Sequence, residues 1–181
     1  MYPDIVIGAG VAQSGAPIEG DAYFWGEAIG DETPQLLGRV QRFDRSREDL
    51  FPFFADAFNL ERITPPWLKF RVLTPGPLEM RVGALIDYRL SLYRVPIRWR
   101  TEIQVWEPPY RFVDSQLRGP YRLWVHEHRF EVDGEGCVMF DQVDYESPLG
   151  WLVHRPFVTP QVEQIFDYRF RALRELFGPK R

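Results

Sequence analysis

The chain has little of what several classes of protein require. Its 181 residues include a single cysteine, Cys137, so an intramolecular disulfide and a cysteine-rich zinc site are excluded. Lysine occurs only at positions 69 and 180, and acidic and basic side chains interleave to a net charge of −4, which argues against a nucleic-acid partner. No apolar run approaches the roughly 20 residues of a membrane span, and no basic segment leads into an apolar stretch as in a signal peptide. We therefore expect a cytoplasmic protein without a transmembrane segment.

The segment near the N-terminus resembles a dinucleotide-binding motif but lacks part of it. Residues 5–10 read as a strand entering a glycine-rich turn, but Gln13 occupies the third glycine position. Gly15 and Pro17 then interrupt any helix, and no second βαβ unit follows, so no cofactor is predicted. Residues 1–37 mix glycine, proline and acidic residues and predict a mostly irregular N-terminal extension. The domain proper is expected over residues 38–178.

Aromatic residues, by contrast, make up 15% of the chain, and such large rings must pack in a solid core or around a cavity. Seven segments separated by turn residues read as strands: 37–43, 68–73, 84–92, 97–106, 111–118, 122–132 and 138–147. Ser46 is a good N-cap for a short helix, a second short helical turn precedes Pro65, and residues 150–177 have helical spacing. Short connections predict antiparallel hairpins. The expected fold is therefore α+β, with a seven-stranded antiparallel sheet, two short helices after strand 1 and a long C-terminal helix.

Folding the sequence at its turns predicts which strand residues pair, and paired residues share a face of the sheet. The predicted pairs are His128–Asp141, His126–Val143, Trp124–Tyr145, Asp114–His126, Ile103–Asp114, Val105–Phe112, Leu90–Trp99 and Tyr88–Thr101. All of them agree on one mostly apolar inner face. The residues of that face predicted to bind a ligand are Tyr88, Leu90, Trp99, Thr101, Ile103, Phe112, Asp114, Gln116, Trp124, His126, His128, Phe130, Asp141, Val143 and Tyr145.

The same inner face carries a polar group, which consists of Asp114, Gln116, His126, His128 and Asp141. Burying two carboxylates and two imidazoles costs several kcal/mol unless they pair or stay hydrated. Three interpretations remain open: a closed network that fixes strand register, an anchor for the polar part of a ligand, and acid–base catalysis. Catalysis would use His126 or His128 together with one of the two aspartates.

Metal binding is a weaker interpretation of the same residues. The spacing His126-x-His128, with Asp114 or Asp141, offers nitrogen and oxygen ligands on one face, and His154 could add a third imidazole. A His-x-His pair on a strand is a weak signal by itself, so no metal is predicted.

Several segments carry a resemblance to a known family. They are 46–56 (SREDLFPFFAD), 59–60 (NL), 63–67 (ITPPW), 83–88 (GALIDY), 99–101 (WRT), 106–114 (WEPPYRFVD) and 119–121 (GPY), with Trp124, Asp141 and Tyr145. Together they resemble the START / Bet v 1-like (birch-pollen-allergen) superfamily, also called SRPBCC or polyketide cyclase/dehydrase-like, in its small bacterial ligand-binding branch. The resemblance covers residues 37–177.

The resemblance implies a helix-grip fold, in which a curved seven-stranded antiparallel sheet wraps around a long C-terminal helix. It also implies a cavity between sheet and helix for a lipid, a polyketide or another apolar molecule. Members are carriers, sensors and aromatase/cyclases, and similar domains occur beside sugar-nucleotide epimerase-like domains, so an epimerase-like or other enzyme partner is conceivable. Pro156 and Pro160 depart from the uninterrupted helix of relatives. They predict a break near 155–160, with residues 150–157 as a separate short element.

The expected function is the binding of a small hydrophobic or aromatic molecule in that cavity. One alternative is an enzyme of the cyclase/dehydratase type that uses the Asp/His group for acid–base chemistry. A second alternative is an accessory module that docks on a partner enzyme and has no open cavity. Fold alone does not decide among them.

Overall fold

The alternation of strand-forming and turn-forming segments produces one sheet with helices on its inner side. The computed structural model describes residues 22–27, 34–147 and 158–178, with the backbone alone for 22–27. The strands are β1 (Ala22–Glu27), β2 (Gln35–Phe43), β3 (Arg71–Val72), β4 (Leu85–Leu92), β5 (Val95–Glu107), β6 (Arg111–Arg118), β7 (Leu123–Asp133) and β8 (Gly136–Glu146). The helices are α1 (Arg47–Phe54), α2 (Leu60–Ile63) and α3 (Thr159–Phe177), with short 3₁₀ turns at Ala57–Asn59 and Pro66–Leu68.

All described strands belong to one antiparallel sheet, in the order β1-β2-β8-β7-β6-β5-β4-β3. The seven predicted strands are β2 to β8, the two predicted short helices are α1 and α2, and the long C-terminal helix is α3. The predicted α+β helix-grip fold is therefore confirmed. Ser46 caps α1 as expected, because its hydroxyl oxygen accepts a hydrogen bond from the backbone N–H of Asp49 at 3.2 Å. Within the described ranges, no helix is both long and apolar enough to cross a membrane.

The segment predicted as an irregular extension contributes a strand to the sheet. Strand β1 pairs with β2 along its whole length, from Ala22 opposite Gln41 to Glu27 opposite Leu36. The sequence of β1, AYFWGE, is rich in aromatic residues that favour extended backbone. The glycine and proline content of residues 1–37 concealed this signal. The rest of the extension, residues 1–21 and 28–33, lies outside the described residues.

The β4–β5 hairpin is tighter than predicted. Its loop consists of two residues, Tyr93 and Arg94, whose φ angles of 49° and 68° are left-handed, as in a type I′ turn. The observed pairs are Leu90–Ile97, Tyr88–Trp99 and Ile86–Thr101, in place of the predicted Leu90–Trp99 and Tyr88–Thr101. A shift of two residues leaves each side chain on its predicted face, because side chains alternate with a period of two.

A β-bulge after residue 103 reverses the faces at the end of β5. Val105 pairs with Val113, and Trp106 pairs with Phe112, so the predicted Val105–Phe112 pair is wrong. One extra residue in the bulged strand inverts the alternation beyond it. Trp106 packs against Phe112 and Phe51, with ring centroids 5.7 and 5.4 Å apart. Four predicted pairs among β6, β7 and β8 are confirmed: Asp114–His126, His126–Val143, His128–Asp141 and Trp124–Tyr145.

Helix α3 begins at Thr159, with Val158 as its N-cap residue. Pro160 falls in the first turn, where a missing backbone N–H leaves no helical hydrogen bond unmade. The separate short element predicted over 150–157 lies outside the described residues, together with His154 and Pro156.

Within the described part of the chain, buried side chains form three clusters under the sheet. One joins β2, β8 and α3, and consists of Leu37, Val143, Tyr145, Val162 and Phe166. A second joins α1 to the ends of β6, β7 and β8 around Phe51, Phe112 and Phe130. The third lies on β4 and β5 and contains Ile86, Tyr88, Leu90, Trp99 and Ile103. The first cluster packs solidly, the third borders a cavity, and the second reaches the same cavity through Phe54, Ile63 and Phe112.

Candidate functional site

A cavity of about 130 Å³ lies between the inner face of β4 to β7, the α1–α2 segment and α3. Its volume is well above the roughly 10–15 Å³ that one water molecule needs. The helical side contributes Phe54, Leu60, Ile63 and Ile165 to its wall. The exposed carboxylate of Asp56 also borders it, which marks the α1–α2 side as the rim.

Most residues that the sequence predicted as ligand-binding line this cavity. They are Tyr88, Leu90, Trp99, Thr101, Ile103, Phe112, Asp114, Trp124, His126 and His128. Five predicted residues do not line it: Gln116, Phe130, Asp141, Val143 and Tyr145. Phe130 packs within the cluster around α1, and Val143 and Tyr145 are covered by α3.

Aromatic side chains form one wall of the cavity. The ring centroids of Trp99, Tyr121 and Trp124 lie 4.8 to 5.7 Å apart. The Trp99 indole donates a hydrogen bond to the hydroxyl of Thr101 at 3.0 Å, so its polar edge is satisfied within the wall. Gln116 supports this wall from behind, because its side-chain amide donates to the Tyr121 carbonyl at 2.7 Å and accepts from the Tyr121 N–H at 3.3 Å.

The opposite end of the cavity is polar and is organised around His126. Its Nε2 lies 2.5 Å from a carboxylate oxygen of Asp141, and both side chains are buried. A contact this short to a carboxylate requires that Nε2 carry the proton and donate it. The Nδ1 edge of the ring lies 3.8 Å from the carboxylate of Asp114, which lines the cavity. The imidazole is therefore oriented by one aspartate, with its second nitrogen turned toward the other.

Arg169 on α3 completes the cluster and was not among the predicted site residues. Its Nη1 lies 3.3 Å from Asp141 and 3.2 Å from His126 Nε2, and the residue is 8% exposed. The sequence did contain a signal for it. Arg169 follows Val162 and Phe166 and precedes Leu173 at helical spacing, which places a cation in the apolar stripe of an amphipathic helix. A buried arginine needs a buried acid, and Asp141 supplies it.

The two aspartates have opposite electrostatic surroundings. Burial alone would raise the pKa of Asp141, but the Arg169 guanidinium and the two imidazoles outweigh that effect and hold the pKa well below its usual range. Burial dominates at Asp114 and raises its pKa, although His126, Arg169 and a hydrogen bond from Thr101 oppose the shift. Asp141 is therefore a fixed anion, whereas Asp114 is a carboxyl group whose charge is poorly compensated.

His128 is a neutral imidazole beside the same pair. Burial is the main cause that lowers its pKa well below the usual value, and the neighbouring His126 adds to the effect. Its Nδ1 lies 3.3 Å from Asp141 but has no hydrogen bond of acceptable geometry. The ring stacks on Phe112 with centroids 4.4 Å apart. His128, at the polar end of the cavity, therefore has one ring nitrogen, Nδ1, that makes no hydrogen bond.

Cys137 stands apart from this cluster, in the solid core with Phe43 and Leu50. Burial raises the pKa of its thiol to about 11. A protonated, buried thiol is a poor nucleophile.

No protein-family model matches the chain, and no curated protein sequence matches it. Solved structures do match it. A Chromobacterium violaceum protein, CV1439, is 11% identical with a TM-score of 0.63, over 80% of this chain and 98% of that one. The major latex-like protein 151 of Panax ginseng is 15% identical with a TM-score of 0.61, over 81% and 99%. TTHA0849 from Thermus thermophilus is 19% identical with a TM-score of 0.56, over 77% and 94%.

These likenesses concern the fold alone, since all three identities are low. The ginseng protein supports the Bet v 1-like fold that the sequence resemblance predicted. Each of the three structures is spanned almost completely by the part of this chain that matches it. The activity of this chain has to be argued from its own site.

Proposed function

We propose that the protein binds a small, mostly apolar molecule with a compact ring system that carries a polar group at one end. The observation that carries the proposal is the cavity itself, whose aromatic and aliphatic walls meet the Asp114–His126 pair at one end. A dry apolar cavity of about 150 Å³ in another protein accommodates benzene. A cavity of about 130 Å³ therefore suits a compact ring system better than a long acyl chain.

The polar end supports a ligand that exchanges hydrogen bonds with the cluster. His126 Nδ1 is available as an acceptor when Nε2 donates to Asp141. Asp114, with its pKa raised chiefly by burial, offers a hydroxyl donor when protonated and an acceptor when ionised. A phenol, enol or ketone oxygen would form hydrogen bonds with these groups, whereas a hydrocarbon would leave them without a hydrogen-bond partner.

Native mass spectrometry after incubation with a mixture of fatty acids and one- or two-ring phenols tests this proposal. We expect retention of a phenol at one molecule per chain, in preference to the fatty acids. The variant Ile165→Trp fills the cavity from α3 and should abolish retention. Leu85→Trp places the same large ring at an exposed position of β4 and should retain the compound. Equal retention by both variants, or none by the wild-type chain, would refute the proposal.

A second candidate function is proton-transfer catalysis of the cyclase/dehydratase type. The specific observation in its favour is the 2.5 Å contact between His126 and Asp141, which orients the ring and leaves Nδ1 toward the cavity. In that role His126 takes a proton from the bound molecule, and Asp141 stabilises the imidazolium that forms. Exchange of the acidic hydrogens of a retained ketone into deuterated water should slow at least about 100-fold in His126→Phe. Unchanged exchange would exclude His126 as the base.

The accessory-module alternative expects an interior filled by side chains, and the cavity does not fit that expectation. An epimerase-like or other enzyme partner stays a prediction. Co-purification with the products of neighbouring genes would test it.

A further inference from the structure

We propose that Asp114, His126 and His128 form a site for a divalent transition metal, zinc or iron(II), at the polar end of the cavity. One ligand atom from each residue can be chosen such that all three lie within 4.8 Å of one another. The sheet itself creates this arrangement. Asp114 on β6 is directly opposite His126 on β7, and His128 lies two residues further along the same face. This inference concerns the same cavity as the proposed function but does not require an apolar ligand.

The hydrogen bonding of His126 is that of a metal ligand. Metal-binding histidines commonly donate the N–H of the other ring nitrogen to a carboxylate, which fixes the ring and raises the basicity of the coordinating nitrogen. Asp141 receives such a hydrogen bond from Nε2 at 2.5 Å. The coordinating atom is then Nδ1, 3.8 Å from the Asp114 carboxylate. Bonds of about 2.0–2.2 Å from each atom to a shared ion span that separation with little side-chain movement.

The other two residues are only partly satisfied, although Asp114 accepts a hydrogen bond from Thr101 and His128 Nδ1 lies 3.3 Å from Asp141. His128 is 3% exposed, and its buried Nδ1 makes no hydrogen bond. Asp114 has no cationic partner among the described residues closer than the His126 ring at 3.8 Å. A divalent ion would complete the bonding of both.

The charges of the cluster are compatible with a bound cation. Among the residues that the structure describes, Arg169 is the nearest fixed positive charge, and it contacts Asp141 and the Nε2 edge of His126. The Asp141 carboxylate, 3.3 Å from the Arg169 Nη1, offsets that charge. Asp114 then supplies the negative charge that faces the ion, and two imidazoles supply neutral donors.

Two imidazoles and one carboxylate leave coordination positions open to the cavity. Imidazole and carboxylate ligands in this number suit zinc in its open sites and iron(II) in sites that bind a further ligand. An oxygen of the molecule in the cavity could occupy an open position. Metal coordination by His126 and general-base catalysis by His126 exclude each other, because both use the Nδ1 lone pair.

Binding of Co²⁺ to the untagged, chelator-treated chain tests the proposal, since protein-bound Co²⁺ has a visible spectrum. We expect one equivalent to bind with development of that spectrum and to be displaced by Zn²⁺. Fe²⁺ should bind the chelator-treated chain in the same stoichiometry under anaerobic conditions, but more weakly than Co²⁺, as the general order of divalent-metal affinities requires. Asp114→Asn should weaken binding at least about 100-fold.

Asp56→Asn is the matched control, because Asp56 borders the same cavity at its exposed rim but lies outside the three-residue cluster. It should bind Co²⁺ like the wild-type chain. Circular dichroism of each variant verifies folding, and His128→Phe serves as a second cluster variant should Asp114→Asn fail to fold. Absence of stoichiometric binding to the wild-type chain would overturn the proposal, as would equal affinity in a folded cluster variant. Neither outcome affects the retention of an apolar compound. The metal-site proposal can therefore be refuted independently of the proposed ligand-binding function.

Discussion

The two halves of the interior lie under one sheet, yet one half is solid and the other is hollow. Where α3 packs on β2 and β8, the space that remains is about 10 Å³, enough for about one water molecule. Salt-bridge and hydrogen-bond contacts reinforce this half: Arg39 pairs with Asp167 at 2.7 Å, and Gln41 donates to the Phe170 carbonyl at 3.1 Å. Under β4 to β7 the space is about 130 Å³. Contacts in the solid half fix the position of α3 on the sheet. The hollow half therefore does not need to be filled to hold that helix.

Each half has its own aspartate, and the comparison of the two explains the polar cluster. Asp141 borders the small space, is paired with Arg169 and has a lowered pKa. Asp114 borders the large cavity, has His126 as its nearest ionic partner and has a raised pKa. His126 bridges the two. The Asp141–Arg169 ion pair of the solid half thus orients the His126 ring, and that ring faces Asp114 in the hollow half.

The largest expected effect comes from removing the ion pair of the solid half. Asp141→Asn leaves Arg169 buried without an anion and should lower the free energy of unfolding by about 4 kcal/mol, measured by urea denaturation. The double variant Asp141→Asn/Arg169→Met removes both charges and should regain most of the loss. A loss below about 1 kcal/mol in the single variant would mean that the pair is not a structural element of the solid half.

The contrast between halves predicts different costs for the same truncation. Leu173→Ala, in the solid half, should cost about 4 kcal/mol, because the side chain is 1% exposed and its loss opens a cavity where only about 10 Å³ is free. Leu90→Ala only enlarges an existing cavity and should cost about 2 kcal/mol. Thermal or urea unfolding of the two variants measures the difference. Equal costs would remove the distinction between solid and hollow halves.

Acid should destabilise the protein through His128. Its pKa is lowered in the fold, chiefly by burial, so its contribution to stability is complete above the unfolded value near 6.5 and declines as the pH falls below it. The free energy of unfolding should therefore decrease between pH 7 and pH 5, with a slope of at most about 1.4 kcal/mol per pH unit for this group. His128→Phe should have a shallower slope. An identical slope in the variant would show that His128 does not cause the effect.

The smallest expected effect is an increase in the free energy of unfolding when Asp114, in the hollow half, is replaced. Because burial raises the pKa of Asp114, its contribution is favourable below the unfolded value near 4 and is lost as the pH rises through the folded value. Asp114→Asn should therefore raise the free energy of unfolding at pH 7, by about 1 kcal/mol. The gain should shrink toward pH 4. A loss of stability at pH 7 would indicate that Asp114 is a satisfied structural residue.

The register of β6 to β8 and the residues of the cluster on those strands could be predicted from the sequence. Turns that contain glycine or proline fix where each hairpin folds, and period-two alternation then fixes the faces. The β4–β5 loop could not be placed to the residue, because Tyr93 and Arg94 are not residues typical of a type I′ turn. The bulge in β5 has no glycine to indicate it, so the inward turn of Trp106 was missed.

The contacts that α3 makes with the polar cluster and the sheet were harder to predict than the strand residues of the cluster. Arg169 lies 28 positions from Asp141, on a different element, and only its place in the apolar stripe of α3 indicated burial. Which predicted residues face the cavity and which are covered by α3 depends on the position of that helix across the sheet. Strand alternation carries no information about that position, so Val143 and Tyr145 were predicted as ligand contacts although the helix covers them.

An NMR titration of the ¹⁵N-labelled chain with a retained phenol tests the central claim most directly. The account predicts that amide shifts concentrate in the hollow half, around Tyr88, Trp99 and Trp124, and that the amides of Val143, Val162 and Leu173 in the solid half change little. Saturable shifts confined to the outer face of the sheet or to the solid half would contradict a binding cavity under β4 to β7.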